Sequence, residues 1–138
     1  MNWTLEVVVV PVSDIDRAKE FYADRLGFAV DHDTVIGEQM RIVQLTPPGS
    51  GCSVVIGTGV VPEMVPGSLQ GLQLVVGDVV TAREELAGRG VDVSEISVYG
   101  AEGPRPQQDG DDLNNIGFCY FSDPDGNSWA VQQITARS

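Results

Sequence analysis

Residues 7–28, VVVVPVSDIDRAKEFYADRLGF, decide how the chain begins to fold. Apart from Pro11, the run from Val7 to Val12 is β-branched and apolar, which is typical of a strand buried on both faces. Asp14 follows at a position from which its carboxylate can cap the first turn of a helix. Apolar residues then recur at helical spacing, and Gly27 suits the left-handed cap that ends a helix. The stretch predicts a strand, a turn and a helix.

The same pattern returns 64 residues later. Leu72 to Val76 is a second apolar strand, Asp78 is a second helix cap, and Gly90 is a second terminal glycine. Five identities connect the copies: Asp14, Ala18, Glu20, Ala23 and Arg25 fall on Asp78, Ala82, Glu84, Ala87 and Arg89. An internal repeat of this kind predicts two similar modules in one chain.

Further strands are expected in each copy. Alternating and β-branched residues predict returning strands at 28–33 and 91–93, and hairpins from strands 41–45 with 53–56 and 118–122 with 128–134. The polar stretch 100–115 is long enough to be a lid or a disordered loop. The sequence therefore predicts an α+β protein of two βαβββ modules within a single domain. Module one covers about residues 1–57, a linker rich in Gly and Pro covers about 58–70, and module two covers about 71–138.

Charge and composition exclude several partners. A net charge of −12 repels phosphate backbones, which argues against nucleic acid as a partner. No apolar stretch approaches the length of a membrane span, so no membrane partner is expected. The apolar start, interrupted by Glu6 and Pro11, is typical of a strand rather than a signal peptide, and a cytoplasmic protein is expected. Cys52 and Cys119, the only cysteines, have no CxxC spacing and are expected to be reduced thiols.

Motifs for several other chemistries are absent or weak. His32 is the only histidine and there is no G-x-S-x-G elbow, so we interpret His32 as a solvated residue at a strand end. The stretch from Asp123 to Asn127 partly matches a calcium loop, but its glycine and missing glutamate favour a hairpin turn. No glycine-rich phosphate motif is present, so no nucleotide cofactor is expected.

Two stretches resemble a known family. PVSDIDRAKEFYADRLGF at 11–28 and FSDPDGNSWAVQQI at 121–134 are similar to the first strand-turn-helix and the final hairpin of the vicinal-oxygen-chelate group. This group contains glyoxalases, bleomycin-resistance proteins and ring-cleaving dioxygenases. The resemblance implies that the two modules form a cup-shaped mixed sheet, with helices on the convex side and the ligand in the cup. It also implies a homodimer.

The family's usual metal ligands come from the first and last strands of each module. The resemblance places these positions at Val7, Val55, Gly71 and Ala130, none of which carries a donor atom on its side chain. Because a metal site needs several convergent ligands, the resemblance here implies no metal and no cofactor.

Two functions from different classes remain open. The first is binding of a small organic molecule in the cup without a metal; the alternative is an enzyme of the group, a lyase, isomerase or dioxygenase, with non-standard, metal-free or substrate-assisted chemistry. Catalytic residues are not assigned. Strand alternation places Gln73 and Gln132 beside Gly71 and Ala130, where they contact the ligand, bond each other or bond water. The candidate ligand-binding residues are Val7, Val9, Val55, Gly71, Gln73, Tyr99, Tyr120, Ala130 and Gln132.

Overall fold

The computed structural model describes residues 1–59 and 61–135, which form two units. Unit 1 comprises Met1–Leu69 together with Asp123–Asn127, and unit 2 comprises Gln70–Ser122 and Ser128–Ser138. Each unit contains its own mixed sheet, of four strands in unit 1 and five in unit 2. The predicted α+β class is therefore confirmed. None of the helices in the described part of the chain is long and apolar enough to cross a membrane.

Unit 1 has the predicted βαβββ order. Its elements are β1 (Val7–Val9), α1 (Ile15–Glu20) continued by a π-helical turn (Phe21–Arg25), β2 (Ala29–Ile36), β3 (Met40–Thr46) and β4 (Ser53–Thr58). The Asp14 carboxylate accepts a hydrogen bond from the Arg17 N–H at 3.1 Å, which confirms the predicted cap. Gly27 ends the helical segment at φ 79°. The sheet order is β1-β4-β3-β2, with β1 parallel to β4.

The helix of unit 1 covers one face of its sheet. Arg41 of β3 donates to Asp16 of α1 at 2.7 Å, and Lys19 of α1 donates to Asp33 of β2 at 2.7 Å. The Arg41 guanidinium, and then the Lys19 ammonium, hold the pKa of Asp33 well below its usual range. Strand alternation therefore assigns the fully buried Val43 to this face. The odd-numbered residues of β3 and the even-numbered residues of β4 point toward the helix. The even-numbered residues of β3 and the odd-numbered residues of β4 point to the other side of the sheet, which we call the open face of unit 1.

The turn Asp123–Asn127 belongs to unit 1, and its end residues Asp123 and Asn127 are buried there. The Asp123 N–H donates to the Asn127 carbonyl at 3.0 Å, which confirms the predicted turn. The sequence did not predict its side-chain contacts. Asn127, fully buried, donates from Nδ2 to the Pro11 carbonyl at 2.8 Å and accepts at Oδ1 from the Leu69 N–H at 3.0 Å. One amide thus connects three separate segments of unit 1.

Unit 2 repeats the plan with one additional strand. Its elements are β5 (Leu72–Val76), α2 (Val79–Gly88), β6 (Ser97–Gly100), β7 (Gly103–Pro106), β8 (Gly117–Ser122) and β9 (Ser128–Gln133). Asp78 caps α2 by accepting from the Thr81 N–H at 3.1 Å, as predicted. The sheet order is β5-β9-β8-β6-β7, with β5 parallel to β9. The second module is therefore βαββββ.

Two predictions about unit 2 are wrong. Residues 91–93 form no strand, because after Gly90 at φ 83° the Val91 N–H bonds back to the Leu86 carbonyl and completes the helix end. The returning strand starts later, at Ser97. The stretch 100–115 is not simply a loop, since it contains β7, which pairs antiparallel with β6.

Candidate ligand-binding surface

In unit 2 the face opposite α2 carries most of the predicted site residues. The Gln133 side chain accepts from the Val79 N–H at the start of α2, so odd-numbered positions of β9 face the helix. Trp129 is on that face, 4% exposed and stacked on Phe121. The register pairs Gln73 with Ala130 and Ala130 with Tyr120. The open face of unit 2 is therefore formed by Gln73, Val75, Tyr99, Phe118, Tyr120, Ala130 and Gln132.

Three aromatic residues, here called the aromatic trio, are in contact on this open face. The hydroxyl oxygens of Tyr99 and Tyr120 are 2.5 Å apart and hydrogen-bonded. The ring of Phe118 meets Tyr99 edge-on at 5.2 Å and lies parallel to Tyr120 at 6.3 Å between centroids. Tyr99 is 40% exposed, and Phe118 and Tyr120 are half-buried. Such a cluster provides aromatic surface and two hydroxyl groups to a molecule above the sheet.

The Tyr120 hydroxyl is neutral at physiological pH. Burial, and then the hydrogen bond with Tyr99, raises the pKa of Tyr120 to about 12. Behind this face, burial raises the pKa of the Cys119 thiol to about 11, and its side chain is fully buried. The Tyr120 hydroxyl therefore acts as a neutral hydrogen-bonding group, and Cys119 is a structural residue.

Two glutamines form the second polar feature of the open face. Gln73 Nε2 donates to Gln132 Oε1 at 2.5 Å, so the two amides bond each other, one of the arrangements that the sequence left open. Gln132 Nε2 donates in turn to the Asn115 carbonyl at 2.8 Å. We call this arrangement the amide chain. Next to it, Gly71 adopts φ 89° and no atom lies within 4 Å of the place where its Cβ would be.

Unit 1 brings the other three predicted site residues together. Parallel pairing of β1 with β4 sets Val7 opposite Ser53 and Val9 opposite Val55 on the open face of that sheet. His32 pairs with Gln44 inside β2, so it is exposed as predicted but does not lie at a strand end. The predicted residues thus fall into two sets, one on each sheet.

A polar chain and a cleft flank these valines. Thr46 donates to Asp31, and the Thr46 and Ser53 hydroxyl oxygens are 2.6 Å apart. The cleft, with a volume of about 550 Å³, lies where the ends of β1 and β4 meet residues 61–65. Its lining combines the apolar residues Val9, Pro11, Val61, Met64 and Val65 with polar groups such as those of Thr58 and Glu63.

Sequence reasoning missed several residues of these surfaces. Phe118 could have been found, because it precedes Tyr120 by two positions and strand alternation places both side chains on one face. The carbonyl of Asn115 could not, because its role depends on a left-handed backbone, φ 69°, in a loop. The polar chain depends on the pairing of three strands and has no local signal in the sequence.

The structure gives no donor to the positions that the resemblance assigns to metal ligands. Val7 and Val55 lie on the open face of unit 1, and Gly71 and Ala130 lie beside the amide chain in unit 2. Among residues 1–59 and 61–135, the fold collects no group of three or more His, Cys, Asp or Glu side chains that could hold a metal ion. The observed groups suit binding through aromatic surface, hydroxyls and amides.

Comparison with known proteins agrees with this architecture. The family model described as Glyoxalase/Bleomycin resistance protein/Dioxygenase superfamily matches residues 4–131. TnmS3, an antibiotic binding protein from Streptomyces sp. CB03234, is 33% identical with a TM-score of 0.73, over 96% of this chain and 97% of that one. A glyoxalase/bleomycin resistance protein from the same organism is 35% identical with a TM-score of 0.70, over 94% and 100% of the two chains.

A member of the superfamily from Sphaerobacter thermophilus DSM 20745 is 28% identical with a TM-score of 0.74, over 96% of this chain and 98% of that one. No curated protein is significantly similar in sequence. The family model spans both modules, and the solved structures are matched over almost their full length. The chain therefore belongs to the glyoxalase/bleomycin resistance protein/dioxygenase superfamily.

Proposed function

We propose that this protein binds a small organic molecule and that it does so without a metal ion. The observation that carries the proposal is the aromatic trio, which presents ring surface and two hydroxyls on a sheet face that its own helix leaves open. An aromatic and apolar surface with a few polar groups is the usual character of a small-molecule site. The similarity to TnmS3, whose name describes antibiotic binding, supports the same class of function.

The proposed contacts differ between the two units. In unit 2 they are Gln73, Tyr99, Tyr120 and Gln132, with Gly71 and Ala130 as small residues that leave space above the strands. In unit 1 the open face offers apolar surface at the half-buried Val7 and Val9, with the buried Val55 beside them. A metal-free mode is supported by the four family ligand positions, since a metal has no side-chain donor at any of them.

Removal of aromatic surface from the open face of unit 2 should weaken binding of a planar aromatic probe. We expect Phe118→Ala and Tyr120→Ala each to raise the Kd for 2-naphthol about tenfold, which is about 1.4 kcal/mol and within the range for aromatic contacts. Isothermal titration calorimetry measures this directly. Trp3→Ala is the matched control, because Trp3 is 87% exposed and outside the sheets, and its loss should leave the Kd unchanged.

The same titration tests the metal-free mode. Excess EDTA should not change the Kd of the wild-type protein, and the Kd should be constant between pH 6 and 8 because Tyr120, with a pKa of about 12, stays protonated there. Loss of binding with EDTA, or equal binding by all three variants and wild type, would contradict the proposal. Conversion of the bound molecule to a product would instead favour an enzyme of the superfamily.

We also propose that the protein acts in the cytoplasm, and that it is a homodimer, as the family resemblance implies. The edge strands β1 and β2 of unit 1 and β5 of unit 2 have backbone groups that a second copy can pair with, which is a common basis for symmetric dimers. Light scattering of the purified protein at about 50 µM should give twice the mass of one chain. The mass of a single chain at this concentration would contradict the proposed dimer.

A further inference from the structure

The amide chain of unit 2 has a direction that is set by a backbone group. A backbone carbonyl can only accept hydrogen bonds, whereas a glutamine amide has one accepting end and one donating end. Gln132 must therefore present Nε2 to the Asn115 carbonyl, which leaves Oε1 facing Gln73. Gln73 must then present its own Nε2 to that oxygen. Turning either amide around would bring two oxygens or two NH₂ groups into contact, so the order is fixed.

The Asn115 carbonyl is itself held in place. Asn115 adopts φ 69°, a left-handed conformation that asparagine tolerates better than most residues. Its N–H donates to the Gln133 carbonyl at 2.8 Å, and the neighbouring Asn114 side chain accepts from the Thr135 N–H at 2.7 Å. The carbonyl that starts the amide chain is thus positioned by hydrogen bonds on both sides.

The far end of the amide chain is an acceptor. Gln73 is exposed, and in the described part of the chain its Oε1 has no hydrogen-bond partner. The Tyr99 and Tyr120 hydroxyls impose no comparable preference, because each can donate or accept. Gln73 Oε1 is therefore an acceptor whose position on the open face is fixed, and a donor on a ligand can bond to it.

The register sets the scale of that ligand. Gln73 pairs with Ala130, and Ala130 pairs with Tyr120, so the glutamine and the tyrosine stand two strand spacings apart. Strands lie about 4.8 Å apart, which gives about 10 Å between the two backbones. Ala130 between them has a small side chain and leaves room above the sheet. A planar molecule of two or three fused rings has this length.

We infer that the open face of unit 2 selects planar aromatic molecules that carry a hydroxyl or N–H donor, such as phenols, because the Gln73 carbonyl oxygen is held as an acceptor by the Asn115 carbonyl through Gln132. This inference rests on the proposed function and adds the class of ligand to it. Rings of the ligand contact the aromatic trio, and the donor reaches Gln73 Oε1. A ligand whose only polar group is an acceptor gains no hydrogen bond at Oε1 and can meet only the second N–H of Gln73 Nε2.

A matched pair of probes tests the selection. 2-Naphthol has a hydroxyl donor, and 2-methoxynaphthalene has the same rings but no donor. Wild-type protein should bind 2-naphthol about tenfold more tightly in calorimetric titrations. Gln73→Met, which keeps the length of the side chain but removes the acceptor, should weaken binding of 2-naphthol more than binding of 2-methoxynaphthalene and so reduce this preference to about twofold or less.

Gln132→Met tests the chain of bonds itself. This variant keeps Gln73 but removes the partner of its Nε2, so the Gln73 amide is free to turn. The ratio of the Kd for 2-methoxynaphthalene to the Kd for 2-naphthol should therefore fall to half its wild-type value or less. A merely structural role for either glutamine would weaken both probes equally and leave their ratio at the wild-type value.

The outcomes separate the inference from the proposed function. Equal binding of both probes by wild type would overturn the inference and leave the proposed function standing. A preference for 2-naphthol that persists in Gln73→Met would also overturn it. No binding of either probe by wild type would overturn both.

Discussion

Replacement of Asp123 by alanine should lower the free energy of unfolding by about 3–5 kcal/mol. Asp123 is 5% exposed, and its carboxylate accepts five hydrogen bonds. Oδ1 accepts from the N–H groups of Asp125, Gly126 and Asn127, and Oδ2 accepts from the Tyr22 hydroxyl and the Asn127 side chain, both at 2.7 Å. Alanine would remove this acceptor from unit 1, so the buried N–H of Asn127 would lose its bond, and the loss of a buried partner costs more than the bond contributes.

Urea denaturation followed by circular dichroism measures the change. The matched control is Asp109→Ala, which removes the same carboxylate from an exposed position and should change the free energy of unfolding by less than about 0.5 kcal/mol. If Asp123→Ala lowers the free energy of unfolding by less than about 1 kcal/mol, the hydrogen bonds to the Asp123 carboxylate do not stabilise unit 1.

Gly67→Ala should be almost as destabilising, at about 3 kcal/mol or more. Gly67 has φ 81°, and an alanine in this left-handed conformation is strained even where there is space for its side chain. A Cβ at this position would also lie 2.0 Å from the carbonyl oxygen of Asp125 and 2.9 Å from its carbon. Both are backbone atoms of the Asp123–Asn127 turn, so they cannot rotate away as a side chain would.

Gly49→Ala is an unusually close control for this change. Gly49 has the same φ of 81°, but nothing lies within 4 Å of its Cβ position. It should cost only the conformational strain, about 1 kcal/mol. The difference between the two variants in thermal or urea denaturation isolates the contact with the turn. Equal losses in both would mean that Gly67 does not touch Asp125 in solution.

The architecture could be predicted from the sequence because its signals are local or repeated. The cap residues Asp14 and Asp78 and the 64-residue offset are enough to define both modules. The error at 91–93 has a physical cause, since alternating valines occur equally in a strand and in the packed exit from a helix. β7 was missed because Pro104 and Pro106 are unfavourable in most strands, and only its place at a sheet edge makes them acceptable.

For the candidate site, the sequence could predict only which side chains of a strand share a face of the sheet. Alternation correctly paired Gln73 with the face of Ala130 and Gln132. The contacts that give the surface its chemistry join distant segments, as in the bond between the Tyr99 and Tyr120 hydroxyls. The sequence likewise predicted the Asp123–Asn127 turn but not the burial of Asp123. The Tyr22 hydroxyl that contacts Asp123 is about 100 residues away in sequence.

The prolines of β7 also limit how the protein can aggregate. The Gln107 N–H donates to the Ile96 carbonyl, toward β6, so by alternation the nitrogens of Pro104 and Pro106 point outward from the sheet. Neither carries a hydrogen, so at these two positions the outer rim of β7 offers no donor to an incoming strand. Growth of fibrils by strand addition is thereby blocked at this edge. For the same reason β7 is unfavourable for strand pairing with a second copy of the chain.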